Sequence, residues 1–149
     1  MTFNSPSRGS LDLDGVIKEL LGFIHEEDRN YKIIIGTDSN GRGKTEFVTA
    51  VIAHRVGRGG IYFWRKIKAE KLLVLRDRIY QEVALSLEMA RIMTEKLSGS
   101  ELEIHVDVGQ RGETRAMIKE VAGMITGFGF SCKTKPDSFG ASHVADKHT

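Results

Sequence analysis

Apolar residues recur along this chain with two different periods, which mark the predicted helices and strands. Spacings of three to four residues predict helices over 12–28, 71–97 and 113–128, the first of them capped by Asp12 or Asp14. Runs rich in β-branched and aromatic residues predict five strands. These strands cover 31–38, 47–56, 61–67, 101–108 and 130–134. A short closing helix is predicted over 139–147.

The order of these elements predicts how the strands pair. The first three strands follow one another through short turns, so they should be antiparallel, whereas strands separated by helices favour parallel crossovers. The predicted fold is therefore α/β, with a mixed five-stranded sheet of three antiparallel strands and then parallel strands, flanked by helices. Residues 1–10 are polar and predict a flexible tail ahead of a single domain over 11–149.

Composition narrows the class of protein without naming an activity. A length of 149 residues suits one domain with a proper core, and a net charge of +2 is too small to indicate a nucleic-acid partner by itself. The single cysteine, Cys132, fits a reducing compartment. The polar N-terminal segment has no signal-peptide pattern, and no apolar run reaches the ~20 residues that span a bilayer. We therefore expect a cytoplasmic protein with no membrane partner.

Two aspartates stand where packing gives no reason for a charge. Asp38 follows the apolar run Ile33-Ile34-Ile35, and Asp107 lies at the end of the strand predicted over 101–108. Ligand sites of open α/β sheets gather at strand ends. If the two strands are parallel neighbours, both carboxylates emerge close together. The alternative for Asp38 is a turn residue that bonds to nearby backbone.

A third and a fourth carboxylate complete the candidate cluster. On the long helix, Glu82 lies at the border of the apolar stripe, while Glu88 lies nearly opposite it. The alternative for Glu82 is an exposed charge paired with Arg78. Asp146, on the closing helix, is the candidate fourth carboxylate, and Asp137 is its alternative.

Clustered carboxylates repel one another unless a cation compensates for them, and hard divalent cations prefer such oxygen ligands. We therefore expect two Mg²⁺ or Mn²⁺ ions held by Asp38, Glu82, Asp107 and Asp146. A basic hairpin is the candidate nucleic-acid surface, with Tyr62 and Trp64 among its interleaved aromatic residues. Its cationic residues are Arg55, Arg58, Arg65, Lys66 and Lys68. Ordinary solvated hairpin faces would give the same composition.

Several segments of the chain together resemble the YkuK family of uncharacterised bacterial proteins, which belongs to the ribonuclease H-like superfamily. The matching segments are Ile35-Gly36-Thr37-Asp38-Ser39, Ala53-His54-Arg55-Val56-Gly57, Gly60-Ile61-Tyr62-Phe63, Glu82-Val83, Ser86-Leu87-Glu88, His105-Val106-Asp107-Val108-Gly109, Lys135-Pro136 and Ala145-Asp146-Lys147-His148-Thr149. The resemblance implies a ribonuclease H-like fold and that superfamily's acidic cluster, which Asp38, Glu82, Asp107 and Asp146 match in order. The resemblance supports the fold and the position of the site more firmly than it supports any particular substrate.

These observations predict a metal-dependent nuclease-like hydrolase that cleaves nucleic-acid phosphodiesters by a two-metal mechanism. Lys147 or His148 is a possible auxiliary group that neutralises charge or moves a proton. One alternative is a non-catalytic scaffold of the same fold that binds nucleic acid or protein. The other is a metal-dependent phosphatase for a small substrate.

Overall fold

The computed structural model describes residues 1–26, 31–40, 45–55, 59–109, 112–135, 137–138 and 148. Its strands are β1 (Thr2–Ser5), β2 (Gly9–Asp12), β3 (Tyr31–Asn40), β4 (Glu46–Arg55), β5 (Gly59–Lys68), β6 (Leu102–His105) and β7 (Ser131–Lys133). Its helices are α1 (Leu13–Glu26), α2 (Leu75–Lys96) and α3 (Ile118–Gly127), and a 3₁₀ turn over Arg115–Met117 precedes α3. The closing helix predicted over 139–147 lies outside the described residues.

The seven described strands form one mixed sheet in the order β2-β1-β5-β4-β3-β6-β7. Strands β3, β4 and β5 pair antiparallel, whereas β6 pairs parallel with both β3 and β7. The α/β class and the change from antiparallel to parallel pairing are confirmed. The predicted number of five strands is wrong, because a hairpin near the N-terminus adds two.

That hairpin corrects the prediction of a flexible tail over 1–10. Strand β1 pairs with β2 and with the outer edge of β5, where Asn4 lies opposite Trp64. The side chain of Phe3 is fully buried in the main core. Gly9, at the start of β2, adopts a positive φ of 70°, which glycine tolerates without steric cost. A single large apolar residue thus anchors a segment whose composition is otherwise typical of a loop.

The described helices all pack on one face of the sheet. The main core joins α1 (Val16, Leu20), α2 (Val83, Met93) and α3 (Val121, Ile125) to strand residues Ile33, Ile35, Val51, Phe63 and Ile104. On the opposite face, Val48 and Ala50 are fully buried and pack with Trp64. We call these the helix face and the second face. None of the described helices is both long enough and apolar enough to span a bilayer.

Element boundaries differ from the prediction at two places that matter for the site. Helix α2 begins at Leu75 rather than Lys71, and in the preceding segment the Leu73 N–H donates to Thr45 Oγ1 at 2.9 Å. Strand β6 ends at His105, but the chain stays extended beside β7 beyond it. The Val106 N–H donates to the carbonyl of Lys133 at 2.9 Å, and the Lys135 N–H donates to that of Val108 at 2.8 Å.

Candidate active site

Asp38 and Asp107 lie at the same end of the sheet and on the same face. Strands β3 and β6 are parallel neighbours, and their register ends with Gly36 opposite His105. Two residues further along each chain are Asp38 and Asp107. Because neighbouring strands lie about 4.8 Å apart, this register brings the two residues side by side.

Contacts of the flanking residues fix the direction in which both aspartates point. Thr37 and Ser39 hydrogen-bond to α2, so Asp38 between them points to the second face. Val106 and Val108 are both buried in the main core, so Asp107 between them points to the second face as well. The two carboxylates predicted to meet therefore share a face.

Glu82 approaches the same end of the sheet from the helix face. Its side chain is only 5% exposed, and its Oε2 accepts a hydrogen bond from the hydroxyl of Ser39. Burial raises the pKa of Glu82 to about 8; the bond from Ser39 opposes this shift, and the charges of Asp38 and Asp107 add to it. The alternative of an exposed helix charge paired with Arg78 is wrong for Glu82. Glu88, by contrast, is exposed.

The donor set suits a hard divalent cation, although the described residues do not form a complete cage. Glu82 Oε1 is buried and has no hydrogen-bond partner among the described residues, so an oxygen ligand remains unsatisfied beside two further carboxylates. Within the described part of the chain, no three His, Cys, Asp or Glu side chains form a group close enough to hold a metal. Asp146, predicted as the fourth ligand, lies outside the described residues.

A lysine that the sequence reasoning missed contacts the site directly. Lys135 Nζ lies 2.8 Å from Asp107 Oδ1. Lys135 follows β7, and its position depends on the pairing of β6 with β7 rather than on any local motif. The resemblance includes Lys135 in a matching segment but gives it no role, and the remaining signal is its place directly after the last predicted strand.

A buried polar chain lies on the second face beside Asp107. His105 Nε2 lies 3.0 Å from Glu103 Oε1, and Lys32 Nζ donates to Glu103 Oε2 at 2.8 Å. Burial alone would raise the pKa of Glu103, yet the hydrogen bonds from Lys32 and His105 hold it below its ordinary value. These hydrogen bonds keep Glu103 ionised, and they join β3 to β6 next to the aspartates.

The basic hairpin is divided between the two faces. Lys66 lies opposite Val48, which lies opposite Asp38, so Lys66 shares the second face and the row of Asp38. Lys68 lies two residues further along β5, on the same face and toward the same end. Arg65, opposite Thr49, belongs to the helix face. The structure thus brings two of the predicted cations to the aspartates' end of the sheet.

The predicted cation Arg55 does not join this group. Arg55 lies opposite Tyr31 at the far end of the sheet, where its guanidinium lies 3.9 Å from the centroid of the Phe23 ring. Its Nη2 also donates to the Phe23 carbonyl in the last turn of α1, at 3.3 Å. Arg55 thus fastens α1 to the sheet and lies away from the carboxylates. Arg58 lies outside the described residues.

The aromatic residues of β5 already have partners. Phe63 is buried in the main core, so it cannot stack on a base. Trp64 stacks on His148, with ring centroids 3.7 Å apart and planes inclined by 7°. The hydroxyl of Tyr62 lies 3.3 Å from His148 Nε2. His148, predicted as an auxiliary group, therefore lies against the second face.

Asp137 and Lys147 are the remaining predicted site residues. Asp137, the alternative fourth carboxylate, is exposed in the turn after β7, and its N–H donates to the Thr134 carbonyl at 2.8 Å. Lys147 lies outside the described residues. Neither the choice between Asp137 and Asp146 nor a role for Lys147 follows from the described geometry.

Comparison with known proteins shows the family of this chain. A family model described as ribonuclease H-like matches residues 15–149. The chain belongs to the ribonuclease H-like family. It is also 33% identical to the uncharacterized protein YkuK of Bacillus subtilis (strain 168), over 99% of this chain and 96% of that protein, which confirms the predicted YkuK relationship. No solved structure gives a significant match.

The YkuK relative carries no described activity, so the family establishes the fold and leaves the chemistry to be argued from the site.

Proposed function

We propose that this protein is a divalent-metal-dependent, nuclease-like hydrolase of nucleic-acid phosphodiesters. The observation that carries the proposal is the convergence of three carboxylates at one end of the sheet, in a chain of the ribonuclease H-like family. The buried, unpartnered oxygen of Glu82 supports it, because a cation there would offset the unfavourable burial of an ionised carboxylate.

Each carboxylate has a distinct part in this proposal. Asp38 and Asp107 would hold the metal from the second face, and Glu82 would complete the site from the helix face, oriented by Ser39. Asp146 is the proposed fourth ligand, with Asp137 as its alternative. Two Mg²⁺ or Mn²⁺ ions, when bound, would activate a water molecule and stabilise the charge that develops on the phosphate oxygens.

Lys66 and Lys68 are the proposed contacts to the nucleic-acid backbone. Both lie on the second face near the end that carries Asp38, so a phosphate chain held by them passes beside the carboxylates. Arg55 does not belong to this contact surface, because it is packed on Phe23 at the other end of the sheet. Arg65 is placed on the helix face and is not required.

The proposal is tested with labelled RNA, DNA and hybrid substrates in the presence of Mn²⁺. We expect cleavage by the wild type, loss of cleavage in Asp38→Asn and Asp107→Asn, and retention in Glu88→Gln, which removes an exposed helix carboxylate. Mn²⁺ should also raise the melting temperature of the wild type but not of Asp38→Asn. Failure of all three substrates, together with equal Mn²⁺ effects on wild type and Asp38→Asn, would overturn it.

A non-catalytic scaffold is the second candidate, and two observations favour it. Lys135 already neutralises Asp107, and the described carboxylates do not form a group that holds a metal. A scaffold would bind nucleic acid or protein without any Mn²⁺-dependent cleavage. Cleavage confined to mononucleotides would instead indicate a small-substrate phosphatase.

A further inference from the structure

Lys135 is held beside Asp107 by its backbone as well as by its charge. Its N–H donates to the carbonyl of Val108 at 2.8 Å, so the residue lies next to the extended segment that carries Asp107. From there its ammonium reaches Asp107 Oδ1 at 2.8 Å. The contact is therefore built into the pairing of the two chain segments.

Gly109 makes room for the stem of this lysine. A Cβ placed on Gly109 would lie 2.9 Å from Lys135 Cβ and 3.3 Å from its Cδ, closer than side chains normally approach. Because that Cβ would meet the stem of Lys135 near its root, any residue larger than glycine would displace it. Gly109 thus lets the lysine lie flat across the chain toward Asp107.

The ammonium of Lys135 supplies positive charge at an end of the sheet where carboxylates gather. Asp38 and Asp107 lie at the ends of neighbouring parallel strands, and Glu82 approaches the same end through its bond from Ser39. Lys135 places a cation on Asp107 itself, where a metal ligand of the proposed function lies. The positive charge of the ammonium would repel a divalent ion held by the same carboxylate, so the two compete for Asp107.

We propose that Lys135 is a positioning residue that holds Asp107 in the metal-free protein and competes with the divalent ion for that carboxylate. It thereby sets the metal concentration at which the site fills. This inference rests on the proposed function, because it needs Asp107 to be a metal ligand. Gly109 contributes indirectly, because it leaves the space that the stem of Lys135 occupies.

The test measures Mn²⁺ binding by isothermal titration calorimetry, without any substrate. Lys135→Met should bind Mn²⁺ about two- to five-fold more tightly than the wild type, the range expected when a partly exposed ion pair no longer has to be broken. Lys135→Arg keeps the charge and should stay close to the wild type. Lys133→Met, two residues earlier and exposed on β7, is the matched control and should change nothing.

Gly109→Ala is a second, independent variant. It leaves Lys135 in the chain but moves its stem, so it should shift Mn²⁺ affinity in the same direction as Lys135→Met. The midpoint of Mn²⁺ stabilisation in thermal unfolding provides a second readout for every variant.

Two kinds of failure are distinguishable. If the wild type binds Mn²⁺ and Asp38→Asn does not, but Lys135→Met binds as the wild type does or more weakly, the counter-ion role is wrong and the metal site stands. If the wild type and Asp38→Asn behave alike, the metal site fails and the inference fails with it.

Discussion

Thr37 Oγ1 lies 2.8 Å from Ser86 Oγ, and this hydrogen bond and another fasten β3 to α2. The other joins Ser39 to Glu82. Two residues along a strand span about 6.6 Å and four along a helix span about 6 Å, so the two pairs match when strand and helix run in opposite directions. The first pair thus sets the register that delivers Glu82 to the sheet end.

Replacing Ser86 with alanine should weaken this attachment. The change removes a buried hydroxyl that bonds Thr37, whose Oγ1 also lies 2.9 Å from Thr49 Oγ1 and so keeps one partner. We expect a loss of about 1–2 kcal/mol in the free energy of unfolding, measured by urea denaturation. Thr94→Ala is the control; Thr94 is an exposed residue of the same helix whose hydroxyl donates to the Ala90 carbonyl within the helix, and its loss should cost less than about 0.5 kcal/mol. Equal losses in the two variants would contradict the register role of Ser86.

Glu82 should make the stability of the protein fall as the pH rises from about 4.5 to about 8. Its pKa is raised to about 8 in the folded protein from an ordinary value of 4.5, so in this window the native state binds more protons than the unfolded state. The contribution of neutral Glu82 is complete below the lower value and lost above the higher one. The shift corresponds to roughly 5 kcal/mol as an upper bound.

Glu82→Gln tests this dependence, because glutamine does not ionise. In urea denaturation without divalent ions, the variant should lose less stability than the wild type between about pH 5 and about pH 8.5, and it should be the more stable of the two at the higher pH. Glu88→Gln should keep the wild-type dependence. A slope unchanged by Glu82→Gln would show that Glu82 is ionised throughout this range.

The sequence pattern was sufficient for those parts of the site that depend on period alone. The helical period separated Glu82, which is buried, from Glu88, which is exposed. The apolar runs placed Asp38 and Asp107 at the ends of strands, and parallel pairing of those strands brings the two together. The place of each residue within its own element follows from the repeat of that element alone, whereas the meeting of the two aspartates was conditional on the pairing of their strands.

Features that depend on tertiary contacts could not be predicted from the sequence pattern. The N-terminal hairpin is held by Phe3, which is buried in the main core, and by the pairing of β1 with the outer edge of β5. No local pattern predicts that pairing. Lys135 reaches Asp107 only because β7 pairs with β6 and Gly109 leaves space. The sequence pattern predicts the basic hairpin as one surface, but side chains alternate along β5, so Arg65 and Lys66 point to opposite faces of the sheet.

Arg55 should matter for stability and not for nucleic-acid binding. Its guanidinium contacts the ring and the carbonyl of Phe23, so Arg55→Ala should cost about 1–2 kcal/mol in unfolding free energy while leaving affinity for a labelled oligonucleotide unchanged. Lowered affinity at unchanged stability in Arg55→Ala would contradict this assignment.

Lys66 and Lys68 should show the opposite behaviour. Replacing both with alanine removes two proposed phosphate contacts, which should weaken oligonucleotide binding and reduce its salt dependence by about one counterion per lysine. Stability should change little, because the pair of Lys66 with Glu46 spans 3.6 Å at the surface. Fluorescence anisotropy across a salt series measures both effects. An unchanged salt slope would place the nucleic-acid contact elsewhere.

The stack of His148 on Trp64 should be visible in solution, because Trp64 is the single tryptophan of the chain. His148→Ala uncovers one face of the indole, so its emission should shift to longer wavelength, and the loss of the stack should cost about 1 kcal/mol of stability. His148→Phe keeps a ring on Trp64 but loses the bond to Tyr62, and it should preserve most of the wild-type emission. His54→Ala is the control for a histidine elsewhere in the sheet. If His148→Ala leaves the emission maximum where it is, residue 148 does not rest on the second face, and the end of the chain is not brought back to the side of the sheet that carries Asp38.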